Sequence, residues 1–136
     1  MQVTLNAIRA HSPCREGWTK LLAHLGKTRA DDTPLELTTI LDSNGLDDAI
    51  WCLRALKGQD GPIRLFAVAC ARLVQHLMTD PRSTTALDVS ERFAKGEDTR
   101  EELEKAYSAA AYAARAAAYA EIRSKQSELF RRFFGA

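Results

Sequence analysis

The sequence predicts an all-α protein: a single-domain bundle of six or seven helices over residues 1–136, with a long Ala-rich C-terminal helix. Helix-start signals recur along the chain, at Ser12-Pro13, Thr33-Pro34, Gly61-Pro62 and Asp80-Pro81. Proline suits a first turn because the N–H it lacks would be unpaired there. Between these signals large apolar residues recur three and four apart, which is helical periodicity. No stretch sustains the polar–apolar alternation of a half-buried strand, and no hairpin turn signature is present.

The elements follow in order. Residues 3–8, VTLNAI, read as a first helical turn capped by Thr4, with a short strand as the alternative. Ser12 as cap and Pro13 in the first turn predict a helix carrying Trp18, Leu21, Leu22 and Leu25, stopped by Gly26. Thr33-Pro34 predicts the next, with Leu35, Leu37, Ile40 and Leu41, broken at Asn44-Gly45. Leu46, Ile50, Leu53 and Leu56 line a fourth that ends at Gly58.

Gly61-Pro62 opens a helix through Leu77, and Asp80-Pro81 opens one that Gly96 closes. Thr99 and Glu102 form a capping box, in which hydroxyl and carboxylate each satisfy a free backbone donor. No Gly or Pro then intervenes before Gly135, which predicts one helix of roughly thirty residues, about 45 Å long. Its centre, AYSAAAYAARAAAYA, combines the best helix former with Tyr107, Tyr112 and Tyr119. Tyr112 and Tyr119 share a face, where they can fill space and reach a polar partner.

Composition bounds the function. With 46% apolar and 27% charged residues the chain is globular rather than disordered. A formal net charge of +1 argues against a strongly basic nucleic-acid binder and against a strongly acidic mimic of DNA. Cys14, Cys52 and Cys70 are odd in number and widely spaced, and the N-terminal residues lack a secretion pattern. Both features point to a reducing cytoplasm. The apolar runs are too short for a membrane span.

No catalytic signature is present, and the chain reads as a non-enzyme without metal or cofactor. His11 and Cys14 form one H-x-x-C pair, but zinc sites usually need two such close pairs. Cys52 and Cys70 fall on apolar faces, where cysteine acts as a small hydrophobe. An enzymatic reading would use Cys14 with His11 or His24, or the carboxylate pairs Asp31-Asp32 and Asp47-Asp48, which instead suit the starts of helices.

Charge is unevenly spread. Asp31, Asp32, Glu36, Asp42, Asp47 and Asp48 occupy residues 31–53 without an intervening Lys or Arg. They are the partner-binding candidates, together with Tyr112 and Tyr119, and they suit a basic protein surface. Residues 123–132 are basic, with Arg123, Lys125, Arg131 and Arg132. Arg115, Arg123, Arg131 and Arg132 support the alternative of a nucleic-acid-binding regulator, although nucleic acid is the weaker expectation. The closing SELFRRFFGA carries Leu129, Phe130, Phe133 and Phe134, expected to fold back into the core.

Residues 61–122 contain GPIRLFAVACARLVQHL, ALDVSERFAKGE and AYSAAAYAARAAAYAE. This segment resembles an alanine-rich helical family of immunity proteins from bacterial toxin systems. Residues 11–56 resemble small uncharacterised proteins of phages and prophages. Both resemblances imply a cytoplasmic accessory protein that binds and blocks another protein. The target would be a host defence protein, as for anti-CRISPR proteins, or a toxin, as for immunity proteins. A homodimer through the C-terminal helix is the further partner reading. Neither resemblance supplies catalytic residues.

Overall fold

The computed structural model describes residues 1–78, 80–110 and 119–135, with side chains of 110 and 119–121 excepted. The described chain is predominantly α-helical. It divides into two compact units: Met1–Gly58 with Phe130–Ala136, and Gln59–Leu129.

The first unit begins with strand β1 (Gln2–Val3) and helix α1 (Leu5–Arg9). Thr4 caps α1, its hydroxyl accepting the Ala7 N–H at 3.1 Å. Helix α2 (Arg15–His24) follows. Its cap is Cys14, not Ser12, and the Cys14 Sγ accepts the Gly17 N–H at 3.4 Å. Ser12 instead takes a left-handed conformation, φ 56°, two residues before the cap position. Gly26 ends α2 as expected, with φ 64° and the Lys27 N–H returning to the Leu22 carbonyl.

Thr33-Pro34 does not start a helix. Strand β2 (Leu35–Glu36) comes first and pairs antiparallel with β1, Gln2 opposite Glu36 and Val3 opposite Leu35. Helix α3 (Leu37–Asn44) then begins directly. Gly45, at φ 96°, separates it from helix α4 (Leu46–Cys52), which tightens into a 3-10 turn at Leu53–Ala55. Helix α2 packs on α3, and α3 on α4.

The core of this unit collects Leu5, Ile8, Leu37 and Ile40, all essentially inaccessible. Phe130 and Phe134 complete it at 0% exposure, with ring centroids 4.9 Å apart. The aromatic tail therefore folds inward, as its apolar character predicts.

The second unit contains helices α5 (Asp60–Arg72), α6 (Pro81–Ala94) and α7 (Arg100–Ala110), with a 3-10 turn at Gln75–Leu77. Asp80 caps α6 through the Arg82 N–H at 2.9 Å. Thr99 caps α7 through the Glu102 N–H at 3.2 Å. The return bond expected from Glu102 is made by Asp98, whose carboxylate accepts the Thr99 N–H at 2.9 Å.

Helix α6 packs against both α5 and α7. Its buried face carries Ser83, Ala86, Val89 and Ser90, small residues that let two neighbours approach. Arg72 ties α5 to α6 through Asp88 and Glu91, at 2.8 and 2.9 Å.

Helix α8 (Tyr119–Phe134) contributes residues up to Leu129 to the second unit and Phe130–Phe134 to the first. The expectation of one helix from Arg100 onward runs through residues 111–118, which lie outside the described residues. The description as α7 and α8 accounts for eight helices among the described residues where six or seven were expected.

Candidate functional site

The six acidic candidates all lie in the first unit, but most are engaged within the chain. Lys27 Nζ donates to Asp31 at 2.6 Å, which holds that carboxyl below its ordinary range. The other Asp31 oxygen accepts the Thr33 N–H and shapes the turn before β2. Glu36 accepts from the Met1 α-amino group at 3.0 Å and from Gln2 at 2.7 Å, and is lowered in the same way. Asp42 is paired with Arg131 and lowered by it. Exposed ion pairs of this kind are screened and contribute little to stability, but they cancel much of the local field that the sequence run suggests. Asp32 and Asp47 are exposed to solvent.

Asp48 differs from the others. It sits in the first turn of α4, beside a cleft of about 90 Å³. The Asn44 amide donates to Asp48 Oδ2 at 2.7 Å and to the Gly17 carbonyl at 2.8 Å, joining the start of α4 to α2. Gly17 makes this approach feasible: a Cβ there would lie 2.6 Å from Asp48 Oδ2. A glycine inside a helix is otherwise a liability.

Trp18 and Trp51 wall the cleft, Leu21 and Ile40 contribute apolar surface, and Cys14 lines it with its exposed thiol. These are the only two tryptophans in the chain. The Arg54 guanidinium stacks on Trp51, 4.2 Å from the ring centroid, and is not part of the lining. Among the described residues no Lys, Arg or His lies within ion-pair distance of Asp48.

Cys14 shares the cleft with Asp48 and Asn44, while His11 is exposed and does not line it. Cys52 is buried, and burial pushes its thiol up to about 12. Cys70 is half-buried in the second unit, its thiol pushed up to about 11 by the same cause. Among the described residues no group of three His, Cys, Asp or Glu is placed to share a metal ion.

Tyr112 lies outside the described residues, as does the side chain of Tyr119. Tyr107 is described: it is 52% exposed, and its hydroxyl accepts from Arg64 at 3.4 Å. Of the basic candidates, Arg115 lies outside the described residues, Arg131 is paired with Asp42, and Arg132 is exposed.

Reading the sequence did not single out Trp18, Trp51, Asn44 or Gly17 as site residues. The usable signal was a glycine three residues into a helix, which suggests that something approaches its backbone closely.

No helix among the described residues is long and apolar enough to cross a membrane. Comparison with protein-family models, curated proteins and solved structures finds no match to this chain.

Proposed function

We propose that this chain is a small phage- or prophage-type protein-binding inhibitor, anti-defence (such as anti-CRISPR) or toxin-immunity-like. It acts by steric and electrostatic blocking of a partner protein. The observation that carries this reading is the size and make-up of the cleft. Sites for small-molecule substrates usually enclose roughly 300–1,000 Å³. A cleft of about 90 Å³ walled by two tryptophans accommodates the end of one side chain instead. Tryptophan-rich depressions of that size are where partner side chains anchor.

Exposed Asp47 and Ile50 stand on the same helix as Asp48 and Trp51. They give that helix a mixed acidic and apolar exposed surface, suited to a basic partner. The electrostatic contribution rests chiefly on exposed Asp32, because Asp31, Glu36 and Asp42 already face cationic groups of this chain.

Affinity capture from a bacterial host lysate tests the proposal. The tagged chain is expected to retain a basic protein, and the Asp32→Lys/Asp47→Lys variant to retain much less. Capture should also weaken as salt is raised, because the steering charges are exposed. No retained protein, or capture indifferent to charge reversal and salt, overturns it.

A further inference from the structure

We propose that the cleft beside Asp48 is a socket for an arginine side chain presented by the partner protein, an inference that rests on the protein-binding function proposed above. Its dimensions come first. At about 90 Å³ it is smaller than the roughly 150 Å³ apolar cavity known to admit benzene, so it takes a side-chain terminus and not a cofactor.

The walls specify what kind of terminus. Trp18 and Trp51 present indole rings, the strongest aromatic surface for a cation. Trp51 already holds a guanidinium of this chain, that of Arg54, at 4.2 Å. That contact lies outside the cleft lining and shows the indole stacking with a guanidinium in this fold.

Charge supplies the third constraint. Asp48 is the one carboxylate lining the cleft. Its cation partner is missing among the described residues, unlike those of Asp31, Glu36 and Asp42. The Asn44 amide fixes Asp48 Oδ2, and the bare Cα of Gly17 makes room for it. The carboxylate is thus held in place before a ligand arrives, which reduces the ordering cost of binding.

A flat, delocalised guanidinium can stack on indole and donate to a carboxylate at once. The compact ammonium of lysine satisfies the charge but not the stacking plane. An aliphatic side chain would fill the volume and leave Asp48 unpaired. Arginine alone meets all three constraints.

The test uses the full chain, uniformly ¹⁵N-labelled. Because both tryptophans line the cleft, both indole N–H signals report on it. Nα-acetyl-arginine amide is titrated against its neutral isostere, Nα-acetyl-citrulline amide. The arginine probe is expected to shift both indole signals saturably and to bind about tenfold more tightly than citrulline, the worth of one charge-assisted bond. Asp48→Asn should bring arginine affinity down to the citrulline level while leaving the far-ultraviolet circular dichroism unchanged. If that variant fails to fold, the arginine–citrulline comparison on the unaltered chain decides.

Indole signals unmoved by arginine, or moved equally by both probes, overturn the socket. A partner still captured from lysate in that case leaves the inhibitor function standing and removes only the socket. Arginine selectivity with no captured protein does the reverse.

Discussion

Replacing Gly17 with alanine is expected to destabilise the protein, against the ordinary sign of that substitution inside a helix. Alanine at a helical position normally gains about 0.5–1 kcal/mol over glycine. Here the new Cβ would stand 2.6 Å from Asp48 Oδ2 and 3.2 Å from Cys14 Sγ. Asp48 must swing away and release the Asn44 amide that holds it at 2.7 Å. A hydrogen bond to a charged group contributes about 1.5–3 kcal/mol, and partial exposure reduces that to roughly 1–2 kcal/mol. The difference is a net loss of about 1 kcal/mol.

Equilibrium urea unfolding measures it. With a slope of about 1–3 kcal/mol per molar urea, the midpoint should fall by roughly 0.3–1 M. Removing the obstacle should restore the ordinary sign: in an Asp48→Ala background, Gly17→Ala should raise the midpoint. The coupling between the two sites is then about 1–2 kcal/mol, as for residues in direct contact. If Gly17→Ala stabilises the unaltered protein, or has one sign in both backgrounds, then Asp48 does not depend on the missing Cβ.

Three further outcomes are expected. Phe130→Ala and Phe134→Ala, at fully buried positions, should each cost about 3–5 kcal/mol in chemical denaturation. Half-buried Phe133 should lose clearly less when truncated. The Arg82 guanidinium and the Arg82 backbone N–H hold the Asp80 carboxyl down at about 2. Its folded-state value lies below its unfolded one, so its contribution to the α6 cap is complete above the ordinary aspartate range and is lost as pH falls through about 2. A carbon-detected titration of Asp80 should show that midpoint, and an ordinary aspartate value would refute the cap. An aromatic disulfide reagent at mildly alkaline pH should label exposed Cys14 in the native state, and Cys52 and Cys70 only after unfolding, since burial holds those thiols at about 12 and about 11.

Local signals were the legible part of this fold. Thr4, Gly26, Gly45, Asp80 and Thr99 act within four residues of themselves, and each does what its chemistry suggests. Where a long-range contact competed, local reading failed. Thr33-Pro34 looks like a helix start, but β2 is drawn into pairing with β1 more than thirty residues earlier. Ser12-Pro13 fails for a local reason instead, because the turn after α1 places Ser12 at φ 56° and passes the cap to Cys14.

The candidate site shows the same division. The acidic run could be counted from the sequence, but its neutralisation could not. Asp42 meets Arg131 across 89 residues, and no periodicity announces that pair. Trp18 and Trp51 sit on α2 and α4, and only the packing of both helices on α3 brings them to one cleft. The inward fold of Phe130 and Phe134 was legible because large apolar side chains are usually buried.

The composition of the first unit also has a kinetic side. Its core joins residues 1–58 to Phe130 and Phe134, with all of Gln59–Leu129 intervening. Closing that long loop in an otherwise unfolded chain carries an entropic cost and slows folding. The second unit is contiguous in sequence and can form earlier, which shortens the effective loop that remains. A nascent chain that has emerged only to Leu129 therefore presents α1 to α4 with two aromatic rings missing from their core. Such an intermediate exposes apolar surface to chaperones and proteases until the last turns of α8 arrive. The order of synthesis, then, makes the aromatic segment the closing step in forming the core of the first unit.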